Sequence, residues 1–129
     1  MSDNDVRVLV VDDLDDAAQT LAALLSMNGY LARTAHDGAS ALKVIKDFHP
    51  HCILLDIRMP GIDGLELTRR VRERHGDDIV LIAVTGGAVD DDRVADTFEL
   101  VDHHLAKPID MAKLEKILPP RTPGARGSR

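Results

Sequence analysis

Apolar residues along this chain alternate between two patterns. Val6-Arg7-Val8-Leu9-Val10-Val11, Cys52-Ile53-Leu54-Leu55 and Ile79-Val80-Leu81-Ile82-Ala83-Val84-Thr85 are short, nearly continuous runs rich in β-branched residues, the pattern of strands covered on both faces. Between them the spacing changes to the helical one, as in Ala18, Leu21, Leu24 and Leu25, or Ala41, Leu42, Ile45 and Phe48. Boundary residues agree with this division. A first helix from Asp15 or Asp16 to about Asn28 stops at Gly29; Asp37 caps a second, which Pro50 closes. Asp63 with Glu66 is close to a capping box for a third helix through about Arg74. Val94, Thr97, Phe98 and Val101 predict a helix over about 90–99, and Asp110 caps a last one carrying Met111, Leu114, Ile117 and Leu118, ended by Pro119-Pro120. Tyr30 to Ala35 and His103 to Ala106 are two further, weaker strands.

Strand and helix therefore alternate five times without an internal repeat. Right-handed crossovers then dictate a doubly wound α/β fold, a five-stranded parallel sheet with helices on both faces. Such a sheet gathers the carboxyl ends of its strands on one edge, where ligands bind. Asp12, Asp13, Asp56 and Thr85 end strands there, and Lys107 follows the fifth strand. One domain is expected over residues 1–118. Residues 119–129, built from Pro, Gly, Ser, Thr, Ala and Arg, are expected to be a disordered tail.

Charge and composition narrow the function. The tail's three arginines lift the net charge from about −9 to −6, and aromatic residues make up only 2%. An acidic chain with few stacking platforms is not expected to bind nucleic acid. No apolar run approaches the ~20 residues of a membrane span, and the acidic start Met1-Ser2-Asp3-Asn4-Asp5 does not fit a secretory signal. The single cysteine, Cys52, has no internal disulfide partner, so the expected location is the cytoplasm.

Three carboxylates converging on one edge repel each other by about 3 kcal/mol per pair at ~5 Å and an effective dielectric near 20. They call for a cation, and oxygen donors that leave positions for water and phosphate suit Mg²⁺. Lys107 adds a second positive charge, and the Thr85 hydroxyl can donate to a phosphate oxygen. Together these groups point to transfer of a phosphoryl group onto a carboxylate.

The chain resembles the receiver domain of two-component response regulators over residues 6 to about 118. The matching pieces are VLVVDD at 8–13, LLDIRMPGIDGLEL at 54–67, VTG at 84–86 and KP at 107–108, with 22 positions from Thr85 to Lys107. The resemblance implies a flavodoxin-like fold with strand order 2-1-3-4-5. It implies that Asp56 accepts a phosphoryl group from a phosphohistidine on a sensor kinase or phosphotransfer protein. Asp12, Asp13, Asp56 and the backbone carbonyl of Arg58 would hold Mg²⁺. Lys107 would neutralise the phosphate and Thr85 would bond it after transfer. Pro108 would follow a cis peptide bond that aims Lys107 into the site. Thr85 and the Gly86-Gly87 loop would then move inward and alter the face made by the helix over 90–99, the fifth strand and the last helix. His104 stands where the family usually has the inward-turning Tyr or Phe; its imidazole enters a dry pocket cheaply only when neutral, so coupling is expected to weaken below about pH 6.5.

Such a domain catalyses its own phosphorylation and dephosphorylation only, and is otherwise not an enzyme. Arg58 and Gly87, two positions after Asp56 and Thr85, offer no acceptor for a hydrolytic water, so slow loss of the phosphoryl group is expected. Glu99-Leu100 replaces the family's usual Ala-Gly at a helix exit. Because the chain ends soon after the last helix, a stand-alone receiver acting through a downstream protein is expected, with a homodimer possible. Two alternatives compete. Asp13-Leu14-Asp15 resembles the nucleophile motif of haloacid dehalogenase-type phosphatases, although Asp16 follows where Thr or Val is usual; a docking module that is never phosphorylated is the other. His49, His51 and Cys52 fit no common metal spacing.

Overall fold

The computed structural model describes residues 6–56, 64–85, 99–107 and 109–119. Its elements run β1 (Arg7–Val11), α1 (Asp15–Met27), β2 (Leu31–Ala35), α2 (Gly38–Phe48), β3 (Cys52–Asp56), α3 (Gly64–His75), β4 (Val80–Thr85), β5 (His103–Ala106) and α4 (Met111–Ile117). Residues 90–98 of the helix expected over 90–99, Asp63 of the expected capping box and residues 120–129 of the tail lie outside the described residues; Glu99 and Leu100 are helical.

All strand pairs are parallel, in the order β2-β1-β3-β4-β5. Strand alternation divides the apolar residues between two cores. Leu9, Val11, Ile53, Leu55, Leu81 and Ala83 pack with Ala41 and Ile45 of α2 and with Leu67 and Val71 of α3. Val8, Val10, Cys52, Leu54 and Ile82 face the other way, onto Ala18 and Leu25 of α1 and onto Leu114 and Leu118. The continuous apolarity of β1, β3 and β4 is thus explained, since both faces are covered. β2 and β5 are the edges and bury less. Among the described residues no helix is long and apolar enough to cross a membrane.

Two details differ from the sequence pattern. Leu24 is 39% exposed, while Ala18, Ala22 and Leu25 are buried. At 3.6 residues per turn, Leu24 falls roughly 100° from Leu25, off the stripe that faces the sheet. The second concerns the end of α2, which stops at Phe48 before Pro50 is reached because His49 turns left-handed at φ 53°. Arg7 holds that turn: its Nε donates to the His49 carbonyl at 2.8 Å, and its backbone N–H donates to His51 Nδ1 at 2.9 Å.

Asp37 caps α2 as expected, accepting the Ser40 N–H at 2.7 Å. That backbone bond, then the Ser40 hydroxyl, holds the Asp37 carboxyl below its ordinary value of 3.8. A depressed carboxylate stabilises the fold above its ordinary pKa and stops doing so as pH falls through the native one. Asp37→Ala is therefore expected to lower the melting temperature by an amount constant above about pH 5, which disappears as acid titrates the wild-type cap. Melting curves of both proteins from pH 7 to pH 2 check this.

Arg72 ties α3 to the entry of β5. Its Nε donates to the Leu100 carbonyl at 2.7 Å, Nη1 to the Gly76 and Ile79 carbonyls at 2.8 and 3.2 Å, and Nη2 to Asp102 Oδ2 at 2.9 Å. The same Asp102 oxygen accepts the Leu81 N–H at 2.8 Å. Arg72→Ala is expected to cost about 2 kcal/mol in chemical denaturation, because it strips partly buried carbonyls of a charged donor.

Candidate functional site

Register builds the site. Val11 lies opposite Leu55 in the β1–β3 ladder, so the next residues, Asp12 and Asp56, stand side by side where the strands end. Both share the strand parity of Val10 and Leu54, so they open on the α1 side of the sheet. Asp12 and Asp56 are each 8% exposed, whereas Asp13 is solvent-exposed. One carboxylate oxygen from each of the three lies within 4.8 Å of the others. Asp12 also accepts the Leu14 N–H at 2.9 Å, a bond that shapes the turn into α1.

Lys107 reaches this cluster from β5. Its backbone N–H donates to the Thr85 carbonyl at 2.8 Å, extending the β4–β5 ladder past Thr85 and Ala106. Its Nζ lies 3.2 Å from Asp56 Oδ2 and 3.5 Å from Asp12 Oδ2. Burial works against the lysine's charge, but Asp56 and then Asp12 outweigh it and hold the ammonium above the ordinary lysine range. Thr85, 8% exposed, stands at the same sheet edge. Thus Asp12, Asp13, Asp56 and Lys107 come together, with Thr85 tied to Lys107 through the backbone. Arg58, Gly86, Gly87 and Pro108 lie outside the described residues. His103 and His104 are both exposed on β5.

The donor set is chemically uniform: three carboxylates, with neither thiolate nor imidazole among them. Hard oxygen ligands fit a small divalent ion such as Mg²⁺. The alternative cluster is taken apart by its own contacts, since His51 Nδ1 accepts from Arg7 and Cys52 is buried. Burial, reinforced by Asp102, pushes the Cys52 thiol far up, away from the thiolate a metal needs.

A groove of about 760 Å³ runs from Asp56 between α1 and α4, with Leu14, Leu21, Leu24 and Met111 among its lining residues. Leu14 is 61% exposed. The sequence reading missed this groove; its one legible sign was Leu14, an apolar residue set between the acid pair and the helix acids Asp15 and Asp16.

An acidic cluster closed by a lysine at the carboxyl edge of a 2-1-3-4-5 parallel sheet defines a class of doubly wound signalling domain. The chain belongs to the response regulator receiver domain family, whose profile matches residues 8–119. Response regulator MprA of Mycobacterium ulcerans is 39% identical over 109 residues, 84% of this chain and 47% of the relative. The chain thus spans about half the length of the curated relatives it matches. Among solved structures, response regulator TrrA of Thermotoga maritima in complex with Mg²⁺ and BeF is 32% identical with a TM-score of 0.75, covering 86% of this chain and 94% of that one. A CheY-like receiver domain from Methylobacillus flagellatus is 30% identical with a TM-score of 0.76, covering 88% and 95%. Family membership disfavours the haloacid dehalogenase reading, and Asp15 accordingly sits in the first turn of α1.

Proposed function

We propose that Asp56 is the phosphoacceptor of a two-component phosphorelay. The observation that carries this reading is Lys107 Nζ at 3.2 Å from Asp56 inside a cluster of three carboxylates. An Asp56 oxygen forms a bond to phosphorus as the P–N bond of a donor phosphohistidine breaks; the imidazole keeps the electron pair and takes up a proton. Asp12, Asp13 and Asp56, with the Arg58 carbonyl, would hold Mg²⁺, which when bound neutralises charge on the phosphoryl oxygens. Lys107 would draw the same charge and, relieved of its pairing to the free Asp56 carboxylate, would turn to the phosphoryl oxygens. The donor is a sensor histidine kinase or phosphotransfer protein, and the apolar groove along α1 offers it a surface that ends at Asp56.

The phosphoryl group adds about −1.5 to −2 of charge. That charge draws Thr85 and the Gly86-Gly87 segment inward and biases the face that includes β5 toward a downstream protein or a second copy, with His104 as the turning side chain. The domain otherwise turns over no substrate, loses its phosphoryl group slowly, and works in the cytoplasm. Intact-mass analysis after incubation with acetyl phosphate and Mg²⁺ tests the reading. One phosphoryl adduct per chain is expected; steady hydrolysis of p-nitrophenyl phosphate without an adduct would contradict it and favour a phosphatase.

A further inference from the structure

On the opposite side of the sheet from the α1 groove, α2 and α3 enclose a second groove of about 570 Å³ whose wall charges are all of one sign. Lys43 and Lys46 stand three positions apart on α2, Arg70 and Arg74 four apart on α3, so each pair shares one helix face. The floor between the two pairs is made by the buried core residues Ile45 and Val71 and the half-buried Leu42. Of the four cations, Arg70 pairs with Glu66 at 3.0 Å. Lys43, Lys46 and Arg74 make no ion pair among the described residues, and Lys43 acts on Asp37 only at a distance.

Helix dipoles account for cations near the carboxyl ends of α2 and α3, but not for two rows facing each other across one cleft with no acid in its lining. The chain as a whole carries −6, so this patch runs against the overall charge. His49, at one end of the cleft, holds a left-handed backbone that glycine would adopt without strain, yet places an imidazole in the lining.

We infer that this groove is an anion site for a small ligand carrying two or three linked phosphates. Length selects the ligand: the cation pairs span only ~4.5 Å on α2 and ~6 Å on α3 at 1.5 Å per residue. That matches a run of two or three phosphates. A longer acidic peptide would run past Lys46 to Asp47, which is exposed on the same helix. The cleft's size falls within the ~300–1,000 Å³ usual for small-ligand sites.

The test is calorimetric titration of the full chain with ATP, tripolyphosphate, inorganic phosphate and a ten-residue glutamate peptide, in EDTA so that the acidic pocket holds no metal. Saturable one-to-one binding of ATP and tripolyphosphate is expected, each far tighter than inorganic phosphate. Lys43→Gln and Arg74→Gln are each expected to weaken it about tenfold. As a check independent of the variants, ATP should shift amide resonances of residues 42–49 and 70–75 in the wild-type protein. Binding unchanged in the double variant, shifts confined to the Asp12–Asp56 pocket, tighter binding of the glutamate peptide, or no saturable binding would each overturn the inference.

Discussion

Asp56→Asn is expected to abolish uptake of a phosphoryl group while slightly stabilising the metal-free fold. Loss of labelling follows because the amide oxygen is too poor a nucleophile and Asp12 already serves the α1 turn through Leu14. The stability effect follows from the charges around Asp56. Two carboxylates within 4.8 Å each repel it by about 3.5 kcal/mol at an effective dielectric of 20. Lys107 at 3.2 Å returns about 5 kcal/mol on the same scale. Repulsion wins narrowly, and after screening at the exposed Asp13 and at Lys107 a net gain of at most about 1 kcal/mol is expected on neutralising Asp56. Chemical denaturation in EDTA reads it, and added Mg²⁺ should reverse the order by stabilising the wild type more. A variant that still acquires the adduct, or loses stability in EDTA, contradicts this description of the pocket.

The second large effect concerns the ion. Replacing Asp12 and Asp13 together by asparagine removes two of the three carboxylate donors and two of the charges that attract a cation. Mg²⁺ affinity should fall about a hundredfold or more, since changes in outer-sphere partners alone cost 10–100-fold. Phosphoryl uptake from acetyl phosphate should fall with it at physiological Mg²⁺ and recover in part at high Mg²⁺. The two acids act differently. Asp13 is exposed and, among the described residues, held only by its place in the cluster, so Asp13→Asn alone should leave the fold unchanged. Asp12 also bonds the Leu14 N–H, so Asp12→Asn should loosen the start of α1. Titration calorimetry of the single and double variants separates these contributions.

Much of this geometry was legible because a parallel sheet leaves little freedom. Once β1 and β3 were recognised as neighbouring buried strands, pairing of Val11 with Leu55 was enough to bring Asp12 beside Asp56. Lys107 was legible for a similar reason, since β5 must run beside β4 and the Thr85 carbonyl takes the lysine's own N–H. Contacts made by long side chains between distant segments carried no periodic signal. Arg72 and Asp102 are 30 positions apart, and nothing around either one announces the other. The cationic cleft escaped notice likewise, because Lys43 and Arg74 meet only after α2 and α3 lie side by side on the sheet. Leu24 was misplaced because four apolar residues in eight positions fit more than one stripe, and only packing selects Ala22 over Leu24. His49 shows a different limit: a left-handed non-glycine residue depends on a tertiary clamp, here Arg7.

Paramagnetic broadening shows directly whether acids from the ends of β1 and β3 form one divalent-ion site around Asp56. Substoichiometric Mn²⁺ should first broaden the amide resonances of Val11 to Asp13, Leu55 and Asp56, together with Lys107, and excess Mg²⁺ should restore them. Broadening centred instead on Asp15 and Asp16, or on Asp77 and Asp78, with the β1 and β3 ends untouched, would contradict the account.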